Sequence, residues 1–262
     1  MLWPLGGGRG GVPDPAILLE NLGKTYGDFA AVSDLSLSVA PGEVFAFLGV
    51  NGAGKTTTIK MMVGLLPPTT GRVRIAGYDV WAQPRLAKRA IGYVPDTPVL
   101  HELLTASEFL WFMGDLYNLP TAVTRRRSEE LLAFMQLQPA ADKLLRDFSL
   151  GMKRKMAIIT ALLHDPPVLL LDEVTNGLDA RAAREVKDFI ARRAADGAAV
   201  FLTTHVMSTA EDLADRIALI HKGRLLTVGT KQELAALAAK PSANLEEIFL
   251  TLTEDEAGAE PA

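Results

Sequence analysis

The chain has 262 residues, is 48% hydrophobic and carries a formal net charge of −4 at pH 7. This length and apolar content suffice for one large domain or two modest ones, and the apolar runs are far shorter than the roughly 20 residues of a membrane-spanning helix. The acidic balance disfavours a broad nucleic-acid surface, and the absence of cysteine excludes disulfides and thiolate metal sites.

The first fifteen residues are rich in glycine and proline. Such a segment cannot bury enough apolar surface to order itself, so we expect a disordered extension over 1–15. A basic start and a long apolar stretch are both missing, so the segment is not expected to be a secretory signal peptide.

Short strands are predicted over 17–19 and 35–39, with a Pro-Gly turn after the second. Tyr26 lies between these strands. Its ring could stack on a purine base beside the loop that follows, or it could be a half-buried strand tyrosine with a solvated hydroxyl.

Residues 49–56 read Gly-Val-Asn-Gly-Ala-Gly-Lys-Thr, between an apolar strand over 44–48 and an apolar helix over 57–66. This is the context of a phosphate-binding loop, or P-loop, whose glycines let backbone N–H groups approach a polyanion. Lys55 would reach the β and γ phosphates, and the Thr56 hydroxyl would ligate Mg²⁺. The predicted nucleotide-binding residues are Asn51, Gly52, Ala53, Gly54, Lys55, Thr56 and Thr57.

Helices are predicted over 106–116, 125–135 and 151–163, which together indicate a helical insert at about 97–165. A strand that reaches Pro95 and Asp96 precedes this insert. The basic clusters at 125–127, 153–155 and 192–193 are interpreted as solvated helix faces.

An apolar run over 168–171 ends in Asp172 and Glu173. A strand buried on both faces delivers its terminal carboxylates to the carboxyl edge of the sheet, where ligand sites of α/β proteins lie. Asp172 would hold Mg²⁺ directly or through a water, and Glu173 would orient or deprotonate the attacking water. The alternative is that the pair only caps the next helix.

A helix over 181–195 leads to a strand over 198–203, and His205 follows that strand. From this edge its imidazole could reach a γ-phosphate together with Lys55 and Glu173. The other histidines are expected in helices or loops without a chemical role; they are His101, His164 and His221. Strands over 216–220 and 224–228, an amphipathic core helix over 244–252 and a frayed acidic tail over 253–262 complete the chain.

These motifs, taken in order, resemble the ATP-binding subunit of an ABC transporter over residues 16–252. The resemblance implies that Tyr26 stacks on adenine, that 49–56 is Walker A and 170–173 Walker B, that 176–179 is the D-loop, which includes Asp179, and that His205 is the switch histidine. The signature loop would comprise Ser149, Leu150, Gly151 and Met152. Its implied fold is α/β, a RecA-like P-loop NTPase core with an antiparallel β subdomain and an inserted α-helical subdomain.

The same resemblance implies the domain organisation, the cofactors and the partners. The ABC ATP-binding domain would span 16–230, and the C-terminal helix and acidic tail 231–262. ATP and Mg²⁺ would lie between the P-loop of one subunit and the signature loop of a second ABC ATPase subunit, with a homodimer expected. The tail at 244–250 looks most like stand-alone subunits of multidrug-type exporters. Such a subunit would be cytoplasmic and peripheral on the inner face of the cell membrane, bound to a separate integral membrane permease through the groove around 96–104.

Two other functions have less support in the sequence. A soluble ABC ATPase could act as a mechanical switch on nucleic acid or a protein complex, but the acidic balance, the single nucleotide domain and the lack of a coiled-coil or basic insert oppose this. A small-molecule kinase would leave the signature loop and His205 without a role. We therefore expect no nucleic-acid partner.

Three positions depart from the family pattern: Asp96 stands for glutamine, Leu150 for a signature glycine and Val174 for a proline. An ionised Asp96 can still ligate Mg²⁺ through oxygen. It only accepts hydrogen bonds and is one methylene shorter than glutamine, so its oxygen can miss the attacking water by about 1 Å, which can cost roughly 10²-fold in rate. We expect slow turnover, or more reliance on Glu173, and an altered single-turnover hydrolysis rate in Asp96→Gln. An unchanged rate would contradict this.

Overall fold

A computed structural model describes residues 14–237 and 244–259. Most of the expected disordered extension, residues 1–13, and the last three residues of the predicted tail lie outside the described residues. Within the described part no helix is long and apolar enough to cross a membrane.

The strands are β1 (Ile17–Tyr26), β2 (Phe29–Val39), β3 (Val44–Leu48), β4 (Thr70–Ile75), β5 (Tyr78–Asp79), β6 (Ile91–Val94), β7 (Val168–Asp172), β8 (Ala199–Thr204), β9 (Arg216–His221) and β10 (Arg224–Gly229). The α-helices are α1 (Lys55–Met62), α2 (Pro84–Arg89), α3 (Ala106–Leu116), α4 (Thr121–Phe134), α5 (Leu150–Leu162), α6 (Ala180–Ala195), α7 (Met207–Leu213), α8 (Lys231–Leu237) and α9 (Leu245–Ala259).

A six-stranded sheet in the order β10-β9-β3-β8-β7-β6 forms the centre. Its strands pair in parallel except for the β9/β10 hairpin. All five residues of β3 are buried, because alternate side chains enter two different cores. Phe45 and Phe47 face one core, and Ala46 and Leu48 face the other.

A second, antiparallel sheet in the order β2-β1-β4-β5 shares the first core with α1 and the central sheet. Helices α3 to α6 and α9 contribute to the second core on the opposite face. The predicted architecture of an α/β core with an antiparallel sheet and inserted helices is therefore confirmed.

Several element boundaries differ from the predicted ones. Helix α4 begins at Thr121 rather than 125, and α9 continues to Ala259 through residues expected to fray. The stripe of α9 packs as predicted, since Leu245, Ile248 and Phe249 are buried. His221 ends β9 instead of lying in a helix or loop.

The interpretation of the basic clusters as solvated faces is wrong for several members. Arg127 hydrogen-bonds the Leu163 carbonyl and pairs with Asp165, while Lys153 and Lys155 pair with acidic side chains of other elements. Arg154 is only 5% exposed. Charge spacing along a helix does not reveal what packs against it, and these helices face the sheet and one another.

His164, two residues after the end of α5, is half-buried between the inserted helices and the sheet. Its ring stacks on Tyr117 with centroids 3.8 Å apart, and its Nε2 lies 3.0 Å from the Ile91 carbonyl oxygen, to which it donates. Burial lowers the pKa of His164 to about 4, although the Ile91 contact opposes this shift.

We expect His164→Phe to reduce the acid sensitivity of the fold. The unfolded chain binds a proton at His164 near the ordinary pKa of about 6.5, whereas the folded chain does not until about pH 4. The free energy of unfolding of the unmodified protein therefore decreases as the pH falls from 6.5 towards 4. Between pH 7 and pH 5 this decrease should be about 2 kcal/mol larger for the unmodified protein than for His164→Phe. Urea unfolding at both pH values measures this difference, and equal losses in the two proteins would contradict it.

Candidate nucleotide-binding site

The P-loop lies at the carboxyl end of β3, between β8 and β9. Gly49 donates its N–H to the Thr204 carbonyl at 3.3 Å, and a side chain at Gly49 would collide with the Ile220 carbonyl oxygen. Gly54 has φ 108° and precedes α1, and a Cβ there would lie 2.8 Å from the Ala31 carbonyl oxygen. Glycine is therefore required at both positions to bring the loop backbone close to its neighbours.

Lys55 begins α1 and is only 6% exposed. Its Nζ donates to the Gly49 carbonyl at 2.7 Å and to the Val50 carbonyl at 3.2 Å, and lies 3.4 Å from Glu173 Oε1. The ammonium is thus held inside the curve of the loop and balanced by a carboxylate from a neighbouring part of the sheet.

The parallel register sets Asp172 at the end of β7 beside Thr203 on β8. The Thr203 hydroxyl donates to Asp172 Oδ1, and the Asp172 side chain is buried. The pKa of Asp172 is raised, mainly because the carboxyl group is buried. The nearby carboxylates of Glu173 and Asp96 raise this pKa further, whereas the hydrogen bond from Thr203 and the charge of Lys55 lower it.

Glu173 has a left-handed backbone with φ 49°, which is uncommon for a residue with a side chain. Its N–H bonds both the carbonyl and the hydroxyl oxygen of Thr203, each at 3.2 Å, which holds this conformation. Its Oε1 lies 3.0 Å from His205 Nδ1, and its Oε2 accepts from Asn176 Nδ2 at 3.3 Å and from the His205 N–H at 3.4 Å. Several donors from three segments thus hold this carboxylate in one orientation.

Gly54, Lys55, Glu173 and His205 border one cleft of about 390 Å³. It is lined by Tyr26, Phe29, Ala31, Asn51, Gly52, Gly54, Lys55, Thr56, Thr57, Asp96, Glu173, Asn176 and His205. The structure therefore brings together predicted residues from the antiparallel sheet, the P-loop and the ends of three central strands.

Two predicted residues lie elsewhere. Ala53 is 3% exposed, its methyl group belongs to the core, and its N–H and carbonyl bond Val50 and Gly223, so it does not line the cleft. Asp172 is 2% exposed and is not among the lining residues.

Sequence reasoning missed Phe29 and Ala31, and it assigned Asn176 to the D-loop without predicting that it lines this cleft. Phe29 pairs with Tyr26 across a tight turn, so its position opposite that residue was the available signal. Asn176 follows Glu173 by three residues, and only the turn that bonds them reveals its contact.

The predicted signature residues Ser149, Gly151 and Met152, together with Asp179, line a different cleft of about 360 Å³. Ser149 caps α5 by accepting from the Met152 N–H at 3.3 Å, and Asp179 caps α6 by accepting from the Ala182 N–H at 2.8 Å. The Leu150 side chain is exposed. Among the described residues the two clefts have no lining residue in common.

The oxygen donors at the nucleotide cleft fit Mg²⁺. Thr56 offers a hydroxyl and Asp96 a carboxylate at the cleft, and Asp172 is a buried carboxylate at the end of β7 that does not line it. No group of three or more His, Cys, Asp or Glu suited to a metal occurs within the described residues. This combination suits an ion that keeps waters and uses phosphate oxygens as further ligands.

A glycine loop between a central parallel strand and a helix, with carboxylates at the end of a nearby strand, defines a P-loop nucleoside triphosphatase. Residues 32–176 match the family model described as ABC transporter. The linearmycin resistance ATP-binding protein LnrL of Bacillus subtilis (strain 168) is 38% identical over 217 residues, which cover 83% of this chain and 70% of LnrL.

Two solved structures share the fold. An ATP-binding subunit of an ABC transporter has a TM-score of 0.86 and 34% identity, covering 91% of this chain and 99% of that one. A dimeric ATP-binding cassette in a post-hydrolysis state with ADP and Pi has a TM-score of 0.75 and 26% identity, covering 82% and 98%.

This chain belongs to the ABC transporter family. It is an ATP-binding subunit of that family and an ATPase, and the sequence-based predictions of family, fold and activity are confirmed.

Proposed function

We propose that the chain works as a head-to-tail homodimer that hydrolyses ATP at two composite sites and drives export through a separate integral membrane subunit. The observation that supports this is the separation of the P-loop cleft from the cleft of Ser149 and Gly151 in one chain. A second copy related by a two-fold axis can supply the missing half to each site. A solved ATP-binding cassette with 26% identity is dimeric and holds ADP and Pi, which supports a dimeric state.

Within each site the residues take distinct roles. The P-loop N–H groups and Lys55 hold the β and γ phosphates, and the exposed ring of Tyr26 stacks on adenine. Mg²⁺, held by Thr56 with Asp172 and Asp96, would neutralise phosphate charge. Glu173 orients the attacking water and takes its proton.

His205 holds the Glu173 carboxylate and reaches towards the γ-phosphate. Ser149 and the N–H of Gly151, at the start of α5, donate to that phosphate from the partner copy. Because these donors have a target only while the γ-phosphate is attached, the dimer closes with ATP and opens after hydrolysis.

A membrane partner would take up this motion on the cytoplasmic side. Val99 and Leu103 lie in the turn between β6 and α3 and are 85% and 77% exposed. Such an apolar pair next to Asp96 is suited to contact a partner near the nucleotide cleft. LnrL is named a linearmycin resistance ATP-binding protein, and removal of a compound from the cell is one way to resist it, which supports export rather than uptake.

Complementation tests the composite sites. Lys55→Met removes the P-loop cation, and Gly151→Asp places a negative charge where the partner's phosphate would lie; a Cβ at Gly151 has room, with Leu178 Cδ2 3.9 Å away. Each variant alone should lack activity. An equal mixture should regain about a quarter of the unmodified rate, since random pairing makes roughly half of the dimers mixed, each with one complete site. A mixture as inactive as its components would contradict the head-to-tail dimer.

Co-purification tests the membrane partner. Tagged Glu173→Gln protein is isolated from detergent-solubilised native membranes with Mg-ATP, with a parallel isolation of Lys55→Met as control. We expect an integral membrane protein in near-equimolar amount with the first variant. A dimer alone, or a dimer with nucleic acid, would overturn the export proposal in favour of a mechanical switch.

A further inference from the structure

Arg154 connects helix α5 to two turns of the nucleotide cleft. Its Nη1 donates to the Glu173 carbonyl at 2.6 Å, and its Nη2 donates to the Asp96 carbonyl at 2.5 Å. The same Nη2 lies 3.6 Å from Asp96 Oδ1. One buried side chain therefore joins the segments after β6 and after β7, and both of these residues line the cleft.

The helix that carries Arg154, α5, is capped at its N-terminus by Ser149, which lines the other cleft. A guanidinium is planar and presents its donors at fixed angles, so the two bonds constrain the distance between the two carbonyl groups. An ammonium is a single point of charge and does not impose that spacing. Burial strengthens both bonds because water does not compete for them.

We propose that Arg154 is a positioning residue that holds the turns of Asp96 and Glu173 against α5. It thereby fixes the position of the catalytic carboxylate, Glu173, relative to the signature loop at the start of α5, which acts in the nucleotide site of the partner copy. The second half of this inference rests on the proposed function, because it assumes that the signature loop acts in the partner's site. The first half concerns one chain alone.

The absence of cysteine permits a direct measurement of this geometry. Spin labels at Lys60→Cys on α1 and Glu129→Cys on α4 report the distance between core and insert, since both native side chains are exposed. Double electron–electron resonance is recorded without nucleotide for the labelled parent, Arg154→Met and Arg154→Lys. The control is Arg126→Met, which removes an exposed arginine of the same insert.

We expect Arg154→Met to widen the distance distribution at least about twofold and Arg154→Lys to give an intermediate width, with Arg126→Met like the parent. With the labels omitted, kcat should fall about tenfold or more in Arg154→Met, while KM for ATP changes less than about threefold. The lysine variant should recover part of kcat.

An unchanged distance distribution in Arg154→Met would overturn the inference, and so would a loss of kcat matched by Arg126→Met. If Arg154→Met does not fold, Arg154→Lys is tested by the same two measurements. A distance distribution as narrow as that of the parent, together with an unchanged kcat, would then overturn the inference. The distance measurement needs neither a dimer nor a membrane subunit. If the unmodified protein does not dimerise or hydrolyse ATP, that result counts against the proposed function. The widths of the distance distributions still test the role of Arg154 in that case.

Discussion

Glu173→Gln is expected to lower ATP hydrolysis by about 10³-fold while ATP binding persists, so that an ATP-bound dimer accumulates. The amide is nearly the same size as the carboxylate and still accepts from Asn176 or His205, but it cannot take a proton from water. The clamp of Ser149 on the γ-phosphate would then remain in place. Single-turnover hydrolysis and light scattering with saturating Mg-ATP measure the two effects.

The matched control for this experiment is Glu129→Gln, which changes an exposed glutamate on α4 in the same way. It should hydrolyse ATP at the unmodified rate and dimerise no more than the parent. Hydrolysis by Glu173→Gln within about tenfold of the parent would exclude Glu173 as the general base. A monomer at saturating Mg-ATP, with the membrane partner also present, would exclude the sandwich dimer.

Lys55→Met is expected to weaken ATP binding by about 10²-fold, because charge-assisted hydrogen bonds to the phosphates are lost in a buried place. The unbranched methionine fills most of the space of the lysine chain but cannot donate to the Gly49 and Val50 carbonyl oxygens. Isothermal titration with ATP measures the affinity, and urea unfolding measures stability.

The control, Lys60→Met, removes an exposed lysine of the same helix and should leave the affinity unchanged. The loss of Lys55 also leaves Glu173 without its ammonium partner, although His205 and Asn176 remain in contact with it. The nucleotide-free variant should therefore be less stable by about 1–2 kcal/mol. Equal ATP affinity in the two lysine variants would show that Lys55 does not contact the phosphates.

The sequence alone determined the P-loop and the two carboxylates at the end of β7, Asp172 and Glu173, because these features depend on local chemistry. Glycines at 49 and 54 are needed by the backbone wherever such a loop forms, and an apolar run that ends in acids predicts a buried strand with its carboxylates at the sheet edge. The order of these motifs along the chain was sufficient to identify the family.

Only the tertiary structure decided which residues from distant segments contact one another. It showed that Arg154 turns inwards to Asp96 and Glu173 although lysines flank it, and that Ala53 belongs to the core rather than to the cleft. It also separated the cleft of Lys55 from that of Ser149. These facts depend on how α5 packs across the sheet, and such packing is fixed by contacts between residues far apart in sequence, which no local pattern encodes.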